Sequence, residues 1–298
     1  MRRDGSSFSG RHRLGIGIFL APVLILYGAF FLYPLVFISV TSLMEWTGIS
    51  KAQFVGLENY KRLFSDSTFM MGIRNNFIWA FASGFIQIPL ATLVALILAR
   101  KPPLWKVLRT LYFLPNVISA VALAMLWKAI YNPTYGLLNG LLSLVGLGGH
   151  NWLGDTATAL TAVIAQSVLY IGYFMIIILA AITNIPDSLY EAAEIDGASV
   201  FQQTFRITLP MITGTLVTSI TLAMAYGMRH FEATFLMTGG GPAYATTTMG
   251  IQLYNKMDAF RYGEASAIGA ILILLGTVLI VLIRSVLSKN DPMAEAAQ

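Results

Sequence analysis

The sequence contains no cysteine. That excludes disulfides, thiol catalysis and cysteine-ligated metals. Charge is scarce as well: 11% of its 298 residues are Asp, Glu, Lys or Arg, against about 25% in soluble domains. No Gly-Lys pair occurs anywhere, so there is no P-loop, which needs Gly-Lys followed by Ser or Thr to cradle phosphates. There are three histidines, too widely spaced in sequence to suggest a metal site. No Asp or Glu falls centrally in any long apolar run. This argues against an ion-coupled carrier, which buries carboxylates near the bilayer midplane. The net charge of +5 and pI near 9.4 come without a dense Lys/Arg patch, so nucleic acid is not an expected partner.

Apolar runs are abundant, and hydrophobic residues make up 56% of the chain. The charge-free windows are Leu14–Met44, Asn75–Ala99, Thr110–Trp127, Thr156–Pro186, Ile207–Met228 and Ala265–Ile283. A helix of about 20 residues crosses ~30 Å of hydrocarbon. The windows therefore predict an all-α transmembrane chain of six helices, with Thr110–Trp127 the shortest of them. The basic N-terminal stretch followed by the long first run predicts an uncleaved first helix rather than a signal peptide. A weak excess of Lys and Arg on one side places both termini, and the loop over residues 184–206, in the cytoplasm. The expected organisation is a tail over 1–13, a six-helix domain over 14–287 containing a polar loop at 184–210, and a tail over 288–298. Pro89 and Pro115 fall inside the second and third helices, where a missing amide permits a kink.

The polar loop between the fourth and fifth runs reads EAAEIDGASVFQQTFRITLP from Glu191 to Pro210. Pro186 suits a first helical position, and Ser188 with Glu191 has capping-box spacing. Gly197 breaks this helix at little steric expense. Ser199 and Gln202 repeat the box for a second helix, whose apolar period continues through Val200, Phe201, Thr204, Phe205 and Thr208. Pro210 then opens the fifth span. An amphipathic elbow lying on the bilayer accounts for the phenylalanines. It does not account for Ala192 and Ala193 beside Asp187, Glu191, Glu194 and Asp196. Small side chains permit close approach by another surface, and the acids suit a basic groove, so this loop is expected to dock a partner.

Glu191, Ala192, Ala193, Gly197, Ile207, Leu209 and Pro210 fit the spacing EAA-x3-G-x9-I-x-L-P. That spacing, between the fourth and fifth of six helices, resembles the signature loop of membrane subunits of binding-protein-dependent ABC importers. Phe54–Tyr60 (FVGLENY), Leu114-Pro115-Asn116, and Thr238–Pro242 (TGGGP) followed by Thr246-Thr247-Thr248 resemble the carbohydrate-uptake branch, of the maltose-transporter first-subunit type. The resemblance implies a type I importer permease in a bacterial cell (inner) membrane. It implies a second homologous permease, a pair of ATPase subunits and an extracytoplasmic substrate-binding protein as partners, and a sugar as cargo. ATP and Mg would be bound by the ATPase, with no cofactor on this chain. Residues 184–210 would form coupling helices. Glu191 would meet a basic residue of the ATPase or cap Ser188, while Ala192, Ala193 and Gly197 would supply close approach and the turn.

Gln166, Tyr170 and Tyr173 recur at i, i+4 and i+7 and so share one face of the fourth helix. Aromatic faces suit sugar C–H groups and amides suit hydroxyls; helix packing through Gln166 is the alternative. The resemblance assigns sugar contact to Gln166, Leu169, Tyr170 and Tyr173, then Ala223, Tyr226 and Gly227. Ala223 and Gly227 depart from the polar residues of the maltose-type permease. Arg229, His230 and Glu232 suggest an internal ion pair or an interfacial anchor. Arg229 also suits an anionic substrate, which makes a permease for glycerol phosphate or another anionic polyol the alternative. Gly239–Gly241 is expected to form a tight re-entrant or extracellular turn. Tyr131, Tyr135 and Trp152 are expected as interfacial aromatics.

Overall fold

The computed structural model describes residues 10–49 and 51–287. The C-terminal tail over 288–298 and most of the N-terminal tail lie outside them. Helical backbone starts at Gly10. The chain runs through α1 (Gly15–Thr41), a two-stranded antiparallel ribbon of β1 (Met44–Glu45) and β2 (Gln53–Phe54), α2 (Glu58–Ser65) and α3 (Ser67–Ala99). It continues through α4 (Trp105–Val117), α5 (Ala120–Ile130), α6 (Leu137–Leu144), α7 (Ala159–Thr183), α8 (Asp187–Ile195), α9 (Val200–Met211) and α10 (Thr213–Met228). It closes with α11 (Glu232–Thr238), α12 (Met249–Asp258) and α13 (Tyr262–Leu287).

Four helices, α1, α3, α7 and α13, are long and apolar enough to cross a bilayer, and the bent pairs α4–α5 and α9–α10 bring the number to six. The third expected span is sharply broken: α4 and α5 meet at 103°. Pro115 lies in the 3-10 turn Leu114–Val117 that ends α4, and Ser119 caps α5 by accepting from the Ala122 amide. The fifth is bent by 68°. Pro210 therefore does not open that span but sits near the end of α9, two residues before the break at Ile212.

Proline also explains three π turns. Gly28–Leu32, Ser83–Gln87 and Thr204–Thr208 are each followed, two residues on, by Pro34, Pro89 or Pro210. Proline has no amide hydrogen, and its ring crowds the carbonyl four residues back. Widening the helix by one residue moves that carbonyl aside and keeps the helix continuous. Pro89 thus leaves α3 unbroken.

α3 is the central span. Its Ile88, Ala91, Ala95 and Leu98 pack with α7 residues Phe174–Ile182. Its Phe69 and Ala80 join Ile268 and Met249 of α13 and α12. Trp79 and Ala82 join Val163, Ala124 and Met237. α10 lies directly on α3, because a Cβ on Gly227 would stand 2.7 Å from the Ala80 backbone. Asp66 caps α3 through the Thr68 amide at 2.8 Å. Burial opposes its ionisation, but the Thr68 hydroxyl and amide outweigh it and hold the carboxyl below its usual range. The FVGLENY stretch lashes down the end of α1: Asn59 donates to the Ser42 and Met44 carbonyls, and the Tyr60 hydroxyl to Ser42 Oγ.

Candidate functional site

Two sites stand at different heights along the spans. The first is the elbow α8–α9. α8 begins at Asp187 with Pro186 as its N-cap, and no side chain caps it. Pro186 is thus one position earlier than expected, and the expected Ser188–Glu191 capping box does not form. Ile185, just before the helix, is buried in the core with Ile178 and Ile182 of α7. Gly197 ends α8 at φ +74°. The Ala198 amide bonds the Ala193 carbonyl and the Gly197 amide that of Glu194, a closure that favours glycine in the left-handed position. The second capping box is present in full: Ser199 N donates to Gln202 Oε1 at 2.7 Å, and Gln202 N to Ser199 Oγ at 3.3 Å.

The elbow is held from behind and open in front. Tyr190 Oη and Thr208 Oγ1 lie 2.9 Å apart, and Arg100 donates to Thr204 Oγ1 at 3.2 Å. A cavity of about 340 Å³ lies behind it, lined by Arg100, Asp187, Tyr190 and Glu194 among others. In front, Glu191 and Ala192 are exposed and Ala193 is half-buried. Ala193, Gly197 and Ala198 floor a recess of about 330 Å³ with Asp196 and Arg206 on its rim. Ile195 (87% exposed) and Phe201 (70%) face outward beside it. Glu191 forms no ion pair or hydrogen bond among the described residues.

The second site is a cavity of about 250 Å³ between α3, α7 and α10, lined by Trp79, Ser83, Gln87, Asn116, Ser167, Tyr170, Tyr173, Phe174, Tyr226, Gly227 and His230. No acidic or basic side chain other than that histidine lines it. Of the expected pathway residues it brings together Tyr170, Tyr173, Tyr226 and Gly227. Gln166 is buried with its Oε1 bonded to Ser167 Oγ, Leu169 is exposed, and Ala223 is wholly enclosed in the core. The single face expected for Gln166, Tyr170 and Tyr173 is interrupted. Regular helix stops at Val168 and resumes at Gly172. Gln87 Nε2, from the π turn of α3, donates to the carbonyls of Ser167 and Tyr170 at 3.4 and 3.1 Å. The Ser167 carbonyl also accepts from the Tyr170 amide, so it is the Tyr170 carbonyl at the break that relies on a donor from another span. The Tyr170 hydroxyl accepts from the Trp127 indole.

Sequence reading missed Trp79, Ser83, Gln87, Asn116, Ser167, Phe174 and His230 as wall residues. Asn116 stands in the Leu114-Pro115-Asn116 motif and His230 in the polar group after the fifth run, but neither pattern assigns its residue to the cavity. His230 stacks on Trp79 at 3.6 Å between ring centroids, and His230 Nε2 and Trp79 Nε1 are buried with no hydrogen-bond partner among the described residues. Arg229 lies over the Tyr226 ring at 5.3 Å. Arg229 and His230 thus form aromatic contacts, and among the described residues neither they nor Glu232 form an ion pair. Tyr131 is buried and donates to the Ala162 carbonyl rather than facing an interface. Trp152 bonds Asn139 Oδ1, while Tyr135 is exposed.

At the end of the spans opposite the elbow, the TGGGP segment forms a braced turn. Gly239 and Gly240 have φ of +61° and +92°. Asn75 donates to the Ala245 and Thr247 carbonyls. Asn76 donates to Met228 O and accepts from Met249 N.

The family described as binding-protein-dependent transport system inner membrane component matches residues 87–290. A probable ABC transporter permease protein of Bacillus subtilis (strain 168) is 36% identical over 266 residues, covering 87% of this chain and 90% of that one. A trehalose/maltose transport system permease protein of Thermococcus litoralis is 35% identical, covering 77% and 78%. A diacetylchitobiose uptake system permease protein of Streptomyces coelicolor is 32% identical, covering 85% and 76%. In fold, the chain is similar to one from a bacterial alginate ABC transporter crystallised with an alginate pentasaccharide-bound periplasmic protein. The TM-score is 0.81 at 24% identity, with 92% of this chain and 94% of that one covered.

Proposed function

The chain belongs to the binding-protein-dependent transport system inner membrane components, and we propose that it carries a neutral sugar across a bacterial cell (inner) membrane. It is an integral membrane permease subunit and not itself a catalyst. A cavity between spans with aromatic and amide walls and no Lys, Arg, Asp or Glu carries the sugar reading. The faces of Tyr170, Tyr173 and Tyr226 suit ring C–H groups, and the side-chain amides of Gln87 and Asn116 suit hydroxyls. The related trehalose/maltose and diacetylchitobiose permeases support the same substrate class. A phosphorylated polyol would enter this cavity without a cation to meet it, since Arg229 is turned onto Tyr226. Tyr170, Tyr173 and Tyr226 contact the sugar in this reading. Gly227 lets α10 close on α3, and Gln166, Leu169 and Ala223 shape the surrounding helices.

The elbow is the coupling element. Glu191 meets a basic residue of a separate ATPase, Ala192 and Ala193 allow close approach, and Gly197 sets the turn. ATP and Mg are held by that ATPase pair, on the cytoplasmic side where both termini of this chain also lie. A second, homologous permease completes the pathway and an extracytoplasmic binding protein delivers the sugar. Reconstitution of all subunits in liposomes tests this. Uptake of a labelled neutral oligosaccharide is expected, with no uptake of glycerol phosphate. The opposite preference would overturn the substrate assignment, and uptake that persists without the ATPase would overturn the coupling.

A further inference from the structure

We propose that α6 is an in-plane helix seated in the lipid interface, at the end of the molecule opposite the elbow. Its place follows from topology: α7 runs from Ala159 to Thr183 and delivers the chain to the elbow, so α6, just before α7, lies at the other end. At about 100° per residue, the eight residues of α6 divide into three sectors. Leu137, Leu141 and Leu144 share one, with Val145 at its edge, and all four are exposed. Leu138, Asn139 and Leu142 share the second, which faces the protein. Gly140 and Ser143 make the third, small and polar. A helix lying in the bilayer surface needs such an arrangement: one face to protein, one to acyl chains, one to water.

The orientation of α6 is fixed rather than frayed. Asn139 is 8% exposed. Its Nδ2 donates to the Pro133 and His150 carbonyls, and its Oδ1 accepts from the His150 amide and the Trp152 indole. This bonding turns the leucines outward. Two observations select lipid as the occupant. From Ala129 to Gly154 the chain has no Asp, Glu, Lys or Arg, whereas the rim of a site for a soluble protein is polar. Val121 and Met125 of α5, the second half of a candidate span, are exposed apolar residues as well, and the exposed Tyr135 between α5 and α6 suits the headgroup level.

The native chain has no cysteine, so single-site labelling needs no prior background substitution. Nitroxides attached at Leu141→Cys, Leu144→Cys and Ser143→Cys are to be read in the assembled transporter in phosphatidylcholine–phosphatidylglycerol vesicles. Positions 141 and 144 are expected to collide with oxygen severalfold more than with a water-soluble nickel chelate, and position 143 to show the reverse. Equal chelate access at all three sites would overturn the proposal. So would protection of 141 and 144 from both reagents, which would mean that the binding protein or the second permease covers the face. Leu144→Glu against Ser143→Glu supplies a second reading: only the first is expected to lower the amount of assembled transporter in the membrane. Equal amounts for the two variants would overturn the proposal as well. The outcome does not depend on which substrate is carried.

Discussion

Glu191 shows how far a spacing reaches. Its distance from Ser188 suits a capping box, but α8 starts at Asp187 and leaves the carboxylate without an intramolecular partner among the described residues. The start lies one residue after Pro186, whose extended backbone makes it the N-cap, while Ile185 before it is buried in the core, a tertiary contact that spacing alone does not encode. The Gly197 turn and the Ser199–Gln202 box are local, and both were legible. A free carboxylate on an exposed helix is available for charge-assisted bonding, worth about 1.5–3 kcal/mol. Glu191→Lys is therefore expected to lower retention of the ATPase on the purified transporter by about tenfold or more, since tenfold corresponds to ~1.4 kcal/mol. Uptake should fall with it while the amount of this chain in the membrane is unchanged. Normal uptake in that variant would sink the role given to Glu191.

The interrupted helix α7 marks what sequence did not reveal among the elements. Thr156–Pro186 reads as one uncharged run, and nothing between Val168 and Gly172 forces a stop. The interruption is sustained from outside, by the side chain of Gln87. A buried carbonyl deprived of its donor costs about 1–3 kcal/mol, and without Gln87 the Tyr170 carbonyl would be so deprived, while that of Ser167 would keep the Tyr170 amide. Gln87→Leu removes both bonds without removing bulk. Thermal unfolding of the detergent-purified transporter is expected to shift to lower temperature. The KM for uptake should rise as well, because Tyr170 loses its anchor at the cavity wall. An unchanged midpoint and KM would show that the break holds itself. The π turns teach the same lesson in milder form: each proline was visible, but whether it kinks, widens or ends a helix depends on packing around it.

At the scale of the molecule, α3, α10 and α12 form one block, drawn together by Gly227 and by Asn75 and Asn76. The cavity opens beside this block, and the second half of α7 links it to the elbow. That half has 12 residues, ~18 Å at 1.5 Å per residue, and its first turn supplies Tyr173 and Phe174 to the cavity wall, so in the proposed coupling a displacement of the elbow would reach the cavity through one continuous helix. If the block is the fixed frame, separating α10 from α3 abolishes folding rather than tuning transport. Gly227→Val is expected to leave little protein in the membrane, whereas Tyr226→Phe, one residue earlier and exposed, should accumulate normally. Equal accumulation of the two would mean that the α3–α10 contact is not part of the frame.

Asn76 has one more consequence. With a single amide it joins the carbonyl of Met228, where α10 ends, to the amide of Met249, where α12 begins. The stretch between them is a handle whose two roots are riveted to the same point on α3. Lengthening such a handle adds only about 0.6 kcal/mol of closure entropy per doubling, and the rivet keeps that strain from the spans. This end of the molecule can therefore be refitted, by lengthening or exchanging the outward part of the handle, while the machinery beneath it is left as it stands.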